Sequence, residues 1–264
     1  MKSVALITIH GMGKIKPGYF RDLEEGVIEK LGSKRWDKVS FKNIQYAPIL
    51  QGPQDKLWDA MLKEKTNELD ALKIRQFFLF GFGDAGSLEY SAQKDPRKYL
   101  DVQKEIQNVL LSAFKECGSD PNTPIVLIAQ SLGCQVISNY LWDAQNGRYI
   151  FSSPNTGPEA NFLKLKSLNN LITTGCNIPI FVSGLDARVC FDPPSPNFTW
   201  DNYYDQDDVL GWPLRQLGKN YNIVHDHSIN AGGILSSWNV ASHGEYWSDK
   251  DVISAVSTRL MEYL

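Results

Sequence analysis

The chain has 264 residues, of which 42% are hydrophobic and 22% are charged, and its formal net charge at pH 7 is -3. This balance is typical of a folded globular protein and excludes fibrous and disordered chains. Because no block of the sequence is rich in lysine or arginine, a nucleic-acid partner is not expected. The length suits a single α/β domain over residues 1–264, since such domains commonly reach about 250 residues.

The cysteines and the first apolar run bear on localisation. Four cysteines are widely spaced and form no CxxC pair, which argues against a zinc ribbon or a disulfide scaffold and favours a reducing compartment. The first apolar run, Val4–Ile9, ends at His10 and is too short for a signal peptide or a membrane span. We therefore predict a cytoplasmic protein without stable membrane insertion.

Short apolar runs alternate with longer amphipathic stretches, a pattern that predicts an α/β fold with a mostly parallel sheet flanked by helices. Chain-breaking residues, among them Pro124 and Gly175, lie at the edges of these runs. The predicted strands are Val4–Ile9, Val39–Tyr46, Ile125–Ala129, Leu168–Thr174, Phe198–Tyr204 and Tyr221–Ile229. The sheet is therefore expected to have about six strands.

Three stretches repeat apolar residues at helical spacing. They are Tyr19–Leu31, Arg97–Cys117 and Asp249–Leu264, the last with Ser248 as its expected N-cap. Residues 51–90 do not fit a minimal α/β plan and are predicted to form a cap or lid insertion. This insertion would hold a charged helix, Lys56–Lys73, and the apolar run Phe77–Phe82, which could be buried core or a substrate contact. Residues 147–166 are predicted to be a long loop.

A nucleophile is predicted at Ser131. The apolar strand Ile125–Ala129 leads into the sequence Gln130-Ser131-Leu132-Gly133, and a helix-compatible stretch follows. A serine at such a strand–turn–helix corner adopts a strained backbone that lifts its hydroxyl above the sheet. Only small residues fit two positions before and after it, and here these are Ala129 and Gly133. The alternative is an ordinary serine in a turn between a strand and a helix.

The segment His10-Gly11-Met12-Gly13 follows the first strand directly and predicts an oxyanion loop. Acyl transfer passes through an oxyanion that needs two fixed donors, usually backbone N–H groups. The residue after the nucleophile, Leu132, would supply one N–H group, and Met12 would supply the other. His10, Gly11 and Gly13 would support this loop.

The general base is sought among the four histidines. In this mechanism the chain order is Ser, then Asp or Glu, then His, so His10 comes too early. His225 and His227 fall within a predicted strand, with side chains expected in packed faces, whereas His243 follows that strand in a loop. We therefore predict His243 as the base, with His227 as the alternative. The pair His225 and His227 lacks a third ligand at fixed spacing, so no metal site is predicted.

The orienting carboxylate is expected just after the predicted strand Phe198–Tyr204. Asp208 is preferred because Val209 and Leu210 could anchor its loop, and Asp207 and Asp205 remain open. The aspartates not used would be solvated loop charges. Asp186 lies one connection earlier and is a weaker candidate.

With these residues assembled, the chain resembles the α/β-hydrolase superfamily, in particular its lipase- and esterase-like branch. The element order follows that branch over nearly the whole chain. The segment Ser242–Trp247 is similar to the histidine loop of lipase-like members, and Asp208–Gly211 is similar to their acid loop. Two features depart from the pattern: no antiparallel hairpin precedes the first strand, and Ala129 replaces the commoner glycine.

The resemblance implies a serine hydrolase that cleaves a carboxylic ester, with an apolar or lipid-like acyl part, through an acyl-enzyme intermediate. Ser131 would attack the carbonyl carbon, His243 would take the serine proton, and Asp208 would orient the imidazole. The expected partner is a small-molecule ester, and no cofactor is expected. A thioesterase or an amidase would use the same residues. A non-catalytic ligand-binding protein with the hydrolase fold is the alternative from another class.

Overall fold

The computed structural model describes residues 1–63, 70–93, 96–231 and 242–264, without the side chains of residues 89–93 and 242–244. At its centre is a six-stranded sheet in the order β2-β1-β3-β4-β5-β6, and every neighbouring pair is parallel. The strands are β1 Val4–Ile9, β2 Val39–Ile44, β3 Ile125–Gln130, β4 Leu168–Thr174, β5 Thr199–Asp205 and β6 Val224–Ile229. The predicted α/β fold with a parallel sheet of about six strands is confirmed.

Helices connect these strands and cover both faces of the sheet. The α-helices of the described residues are α1 Arg21–Leu31, α2 Ser33–Trp36, α3 Ala47–Lys63, α4 Leu72–Gln93, α5 Arg97–Glu116, α6 Leu132–Asn146, α7 Pro158–Leu163, α8 Ile178–Val182 and α9 Lys250–Met261. Within this part of the chain, no helix is both long enough and apolar enough to cross a bilayer.

Alternate residues of the strands pack into two hydrophobic cores, one on each face of the sheet. In β1, Val4 and Leu6 face α1 and α9, whereas Ala5, Ile7 and Ile9 face the core that holds α5 and α6. This division follows from the period-two geometry of a strand, in which successive side chains point to opposite faces. Because both faces of the sheet are covered, the central strands β1 and β3 are nearly continuous apolar runs, as expected for a parallel sheet.

The insertion predicted for residues 51–90 differs from the sequence-based expectation. The predicted helix Lys56–Lys73 is wrong as one continuous helix. α3 is described up to Lys63, residues 64–69 lie outside the described residues, and Asp70 and Ala71 are not helical. A second helix, α4, begins at Leu72 and contains the whole Phe77–Phe82 run. The run divides around the helix, because Phe80 is fully buried while Phe78 and Phe82 are 43% and 49% exposed. The expectation of buried core is therefore confirmed for Phe80, and a substrate contact by the exposed phenylalanines stays a prediction.

Two further sequence-based predictions differ from the structure: the loop over residues 147–166 and the N-cap of α9. Residues 147–166 are not a plain loop, because they contain a 3₁₀ turn, Tyr149–Phe151, and the short helix α7. The N-cap of α9 is Asp249 rather than Ser248. The Asp249 side chain accepts hydrogen bonds from the N–H groups of Asp251 and Val252, while the Ser248 hydroxyl donates to the Glu245 carbonyl.

Candidate active site

The candidate site lies where the direction of strand addition reverses. From β1 the chain moves to β2 on one side, and it then returns to place β3 on the other side. At such a point the two connections leave in opposite directions and open a crevice beyond the carboxyl ends of the strands, where ligands bind in open α/β sheets. Here that crevice is flanked by the loop after β1, which begins at His10, and by Ser131, which follows β3.

Ser131 occupies the strained corner that the sequence predicts. Its φ is 51° and its ψ is -124°, a left-handed region that non-glycine residues seldom adopt. The serine is fully buried, and its N–H donates to the Thr174 carbonyl on β4 at 3.0 Å. A Cβ atom at Gly133 would overlap the carbonyl oxygen of His10, so only glycine lets α6 start this close to β1.

The loop after β1 lies directly against the serine. A Cβ atom at Gly11 would come 2.7 Å from the Ser131 Cβ and 3.4 Å from its Oγ, which explains the glycine at this position. The Gly11 carbonyl accepts hydrogen bonds from the Tyr46 hydroxyl at 2.9 Å and from the His10 Nδ1–H at 2.8 Å. Since the peptide unit is planar and trans, these two bonds also fix the direction of the Met12 N–H.

His10 supports this loop as an uncharged ring. It is buried, stacks on Tyr46 at 4.3 Å between ring centroids, and meets Tyr19 edge to face. Burial lowers the pKa of His10 to about 4, although the hydrogen bond to Gly11 acts in the opposite direction. The ring is therefore neutral near pH 7, which suits a structural donor to the Gly11 carbonyl.

Asp208 is a buried carboxylate on the loop after β5. Its Oδ1 accepts a hydrogen bond from the Leu210 N–H at 3.0 Å, and its Oδ2 accepts one from the Tyr246 hydroxyl at 2.8 Å. The loop is anchored by Leu210, which is buried. The expectation that Val209 also anchors it is wrong, because that side chain is 75% exposed. A Cβ atom at Gly211 would come 2.8 Å from Asp208 Oδ2, so the glycine makes room for the carboxylate.

The other aspartates have different environments. Asp207 and Asp186 are exposed, in agreement with solvated loop charges. Asp205 is buried, so the expectation of a solvated charge is wrong for this residue. Its carboxylate accepts the N–H of Asp207 at 2.8 Å, and this contact closes the turn that leads to Asp208.

The turn that carries His243 joins Asp208 to the serine corner. The His243 side chain lies outside the described residues, and its backbone belongs to the six-residue 3₁₀ helix Ser242–Trp247. From this turn, the Tyr246 hydroxyl donates to Asp208, and the Trp247 Nε1–H donates to Gln130 Oε1 at 2.6 Å. Gln130 directly precedes Ser131, so the Ser242–Trp247 turn is hydrogen-bonded both to Asp208 and to the residue before Ser131.

The two histidines of β6 lie elsewhere. His225 is exposed, so its expected packing into a sheet face is wrong. His227 Nε2 is 3.0 Å from Asp201 Oδ1, and its ring stacks on Tyr203. Arg259 of α9 binds the other oxygen of Asp201 at 2.8 Å. His227 therefore contacts Asp201, which forms an ion pair with Arg259, in a cluster between β5, β6 and α9.

Asn177 contacts the serine and was not found by sequence reasoning. It follows β4 and directly precedes α8, its side chain is fully buried, and its Nδ2 lies 3.4 Å from Ser131 Oγ. Its position after the strand that neighbours β3 is the only signal in the sequence. An asparagine after a strand is too common to single out without the sheet order.

A cavity of about 1040 Å³ opens beside the serine corner between α4, α5, α6 and α8. Its lining is mostly apolar and includes Leu132, Val136, Ile106 and Phe181, and the exposed Phe82 lies at the same cavity. Its polar lining residues are spread over α5, α6 and the turn after α6: Gln103, Gln135, Asn139, Asp143 and Arg148. Leu132, the residue after Ser131, lines the cavity, whereas Ser131 itself is fully buried and is not among the lining residues.

No family model matches the chain, and no curated protein matches it. Solved structures with a similar overall arrangement include an iodinated complex of acetyl xylan esterase, with 13% identity and a TM-score of 0.43 over 100% of this chain and 99% of that one. A second acetylxylan esterase structure gives 13% identity and a TM-score of 0.44 over 99% and 98% of the two chains. A cutinase-like protein from Cryptococcus sp. gives 12% identity and a TM-score of 0.43 over 99% and 94%.

Proposed function

We propose that this protein is a serine hydrolase that cleaves a carboxylic ester with an apolar acyl group. The observation that carries the proposal is the strained, buried Ser131 at the reversal point of the sheet, in contact with Gly11 of the loop after β1. A serine held at φ 51° costs stability, and such strain persists where a function requires the geometry.

In the proposed mechanism, Ser131 Oγ attacks the ester carbonyl and forms an acyl-enzyme. His243 takes the serine proton and delivers it to the leaving alkoxide, and Asp208 orients the imidazole and stabilises its charge. Water then attacks the acyl-enzyme by the reverse proton transfers. The double attachment of the His243 turn, through Tyr246 to Asp208 and through Trp247 to Gln130, supports this assignment.

The N–H groups of Met12 and Leu132 would bind the oxyanion. The fixed Gly11–Met12 peptide supports Met12 as a donor, since a preorganised N–H needs no reorganisation when the negative charge develops. The Leu132 N–H belongs to the first residue of α6, where helix N–H groups lack intrahelical acceptors. The apolar cavity that starts at Leu132 would take the acyl group.

A fluorophosphonate probe tests the nucleophile. The wild type should be labelled once per chain and should hydrolyse p-nitrophenyl esters, and Ser131→Ala should lose both properties. Asp208→Asn and His243→Ala should lose on the order of 10⁴-fold in kcat/KM, as expected for members of a catalytic triad. Absence of labelling in the wild type, or equal labelling of Ser131→Ala, would contradict the proposal.

Matched variants separate the proposed residues from their neighbours. Asp207→Asn changes the exposed aspartate next to Asp208, and His225→Ala changes an exposed histidine of β6. Both variants should retain wild-type kcat/KM. His227→Ala should also remain active, because His227 pairs with Asp201 on a different part of the sheet. An inactive His227→Ala combined with an active His243→Ala would reverse the assignment of the base.

A further inference from the structure

The loop after β1 is attached on one side to the helix pair α3–α4. The Gly13 N–H donates to Asp84 Oδ2 on α4 at 3.2 Å, and the Gly13 carbonyl accepts a hydrogen bond from Gln51 Nε2 on α3 at 2.7 Å. Gln51 also donates to Asp84 Oδ2 at 3.0 Å. These three contacts join the loop, α3 and α4 at one carboxylate.

Two glycines of α4 let that helix pack closely, one against the loop after β1 and the other against α3. A Cβ atom at Gly81 would come 2.6 Å from Met12 Sδ, and one at Gly83 would come 3.0 Å from the Gln54 side-chain carbon Cδ. Gln54 in turn donates its Nε2–H to Asp84 Oδ1 at 2.8 Å. The side chain of Met12 therefore packs on the same face of α4 that carries Asp84.

Burial of the Asp84 carboxylate lowers the free energy of unfolding. Its side chain is fully buried, and the three hydrogen bonds that the described residues give it come from neutral amide groups. Burial raises the pKa of its carboxyl group, while the hydrogen bonds from Gln51, Gln54 and Gly13 lower it. The charge of Lys98 also lowers this pKa, but the contacts of the described residues include no ion pair between Lys98 and Asp84. Burying a carboxylate that is held by neutral amide groups opposes folding, so packing alone does not account for its presence.

The position of these contacts along the chain indicates what Asp84 does. The hydrogen bonds to the Gly11 carbonyl fix the peptide before Met12, and the hydrogen bond from the Gly13 N–H to Asp84 fixes the peptide after it. The Met12 N–H belongs to the first of these peptides, and the contact with Asp84 holds the second, so the segment from Gly11 to Gly13 keeps its position against Ser131.

We propose that Asp84 is a positioning residue that orients the oxyanion loop from α4, so that the α3–α4 pair is part of the catalytic apparatus rather than only a cover. This inference rests on the proposed esterase function and on Met12 as an oxyanion donor. It does not require Asp84 to touch the substrate. Its loss should therefore lower kcat while leaving KM nearly unchanged.

The test compares Asp84→Ala with Asp84→Asn in the full chain. Asp84→Ala removes the acceptor of the Gly13 N–H. It should lower kcat about 10- to 100-fold, approaching the loss of an oxyanion donor, with KM within about twofold. Its rate of labelling by the fluorophosphonate should fall in parallel. Asp84→Asn should retain most of the activity. The asparagine oxygen can still accept from Gly13 and Gln51, and its Nδ2 can donate to Gln54 Oε1, which has no partner in the described structure, once that amide rotates by about 180°.

Asp55→Asn is the matched control. Asp55 also links α3 to this loop, through an ion pair with Lys14 at 2.7 Å, but both side chains are about half exposed. Exposed ion pairs contribute little, so this variant should behave as wild type. If Asp84→Ala does not fold, Gln51→Met removes the other tie to Gly13 and should lower kcat about tenfold.

Wild-type kcat in Asp84→Ala, or in a folded Gln51→Met, would overturn the inference. Equal losses in Asp84→Asn and Asp84→Ala would overturn it too, because the hydrogen bonds would then not be the cause. These outcomes leave the labelling of Ser131 in the wild type intact. A wild type that is not labelled would instead reject the proposed function and this inference together.

Discussion

His10 lies beside the candidate nucleophile, and the fold determines its charge. Its pKa is about 4 in the folded protein because of burial, against an ordinary value of 6.5. Between these pH values the unfolded chain binds a proton that the folded chain does not. The free energy of unfolding therefore rises with pH through this window, and the contribution of His10 is lost as the pH falls from 6.5 toward 4.

Replacing His10 by asparagine tests this linkage. Asparagine can keep a donor for the Gly11 carbonyl but does not titrate, so the stability of wild type relative to His10→Asn should fall on acidification. The expected fall is about 3 kcal/mol between pH 7 and pH 4, at about 1.4 kcal/mol per pKa unit. Urea denaturation at several pH values measures it. A difference between the two proteins that does not vary with pH would show that His10 titrates normally in the folded state.

Individual site residues differ in how far the sequence reveals them. The corner at Ser131 and the loop from His10 to Gly13 have local signatures, because a sharp turn demands small residues at fixed distances from the serine. Asp84 and Asn177 have no such signature. They reach the site only because α4 packs on the loop after β1 and because β4 lies next to β3 in the sheet.

At the level of elements, Gly133 controls the approach of α6 to β1. A Cβ atom there would overlap backbone, which cannot move aside as a flexible side chain could. Gly133→Ala should therefore lower the free energy of unfolding by about 1–3 kcal/mol or more, as for other overpacked sites, and should slow labelling of Ser131. Chemical denaturation and labelling rates measure the two effects.

Gly86→Ala is the stability control for that substitution. Gly86 lies inside α4, and a Cβ atom at this position would meet nothing within 4 Å. Alanine should therefore raise the free energy of unfolding by up to about 1 kcal/mol through its higher helix propensity. If both alanine variants shifted stability in the same direction, the overlap at Gly133 would not be the deciding contact.

The strands were predictable from sequence because each is a short run with apolar, β-branched or aromatic residues, most of them bounded by chain-breaking residues. β1 and β4 begin and end at the predicted residues, and the other strands differ by one to three residues at an end. α4 was not predictable, because Gly81 and Gly83 interrupt its helical pattern and lower its intrinsic propensity. In the folded chain those glycines admit Met12 and Gln54, so tertiary packing outweighs local preference.

At the scale of the whole molecule, the candidate site at Ser131 and the cavity are built from different elements. Strand ends supply Ser131 and the loop after β1, while α4, α5, α6 and α8 enclose about 1040 Å³ next to Leu132. The sequence indicated the corner, but the cavity depends on the packing angles of four helices and could not be derived from patterns. This volume lies at the upper end of the range of pockets that bind drug-sized ligands, about 300–1,000 Å³. It is therefore larger than a short acyl group needs.

A series of p-nitrophenyl esters with acyl chains of increasing length tests the use of this cavity. Up to about 0.8 kcal/mol is available per buried methylene, so kcat/KM should rise by up to about fourfold per added carbon until the cavity is filled. Val136→Phe narrows the cavity and should lower the ratio of long-chain to acetate kcat/KM. Val189→Phe makes the same change at an exposed position outside it and should leave the ratio as in wild type. A wild type that prefers acetate, or equal ratios in the two phenylalanine variants, would mean that the acyl group binds elsewhere.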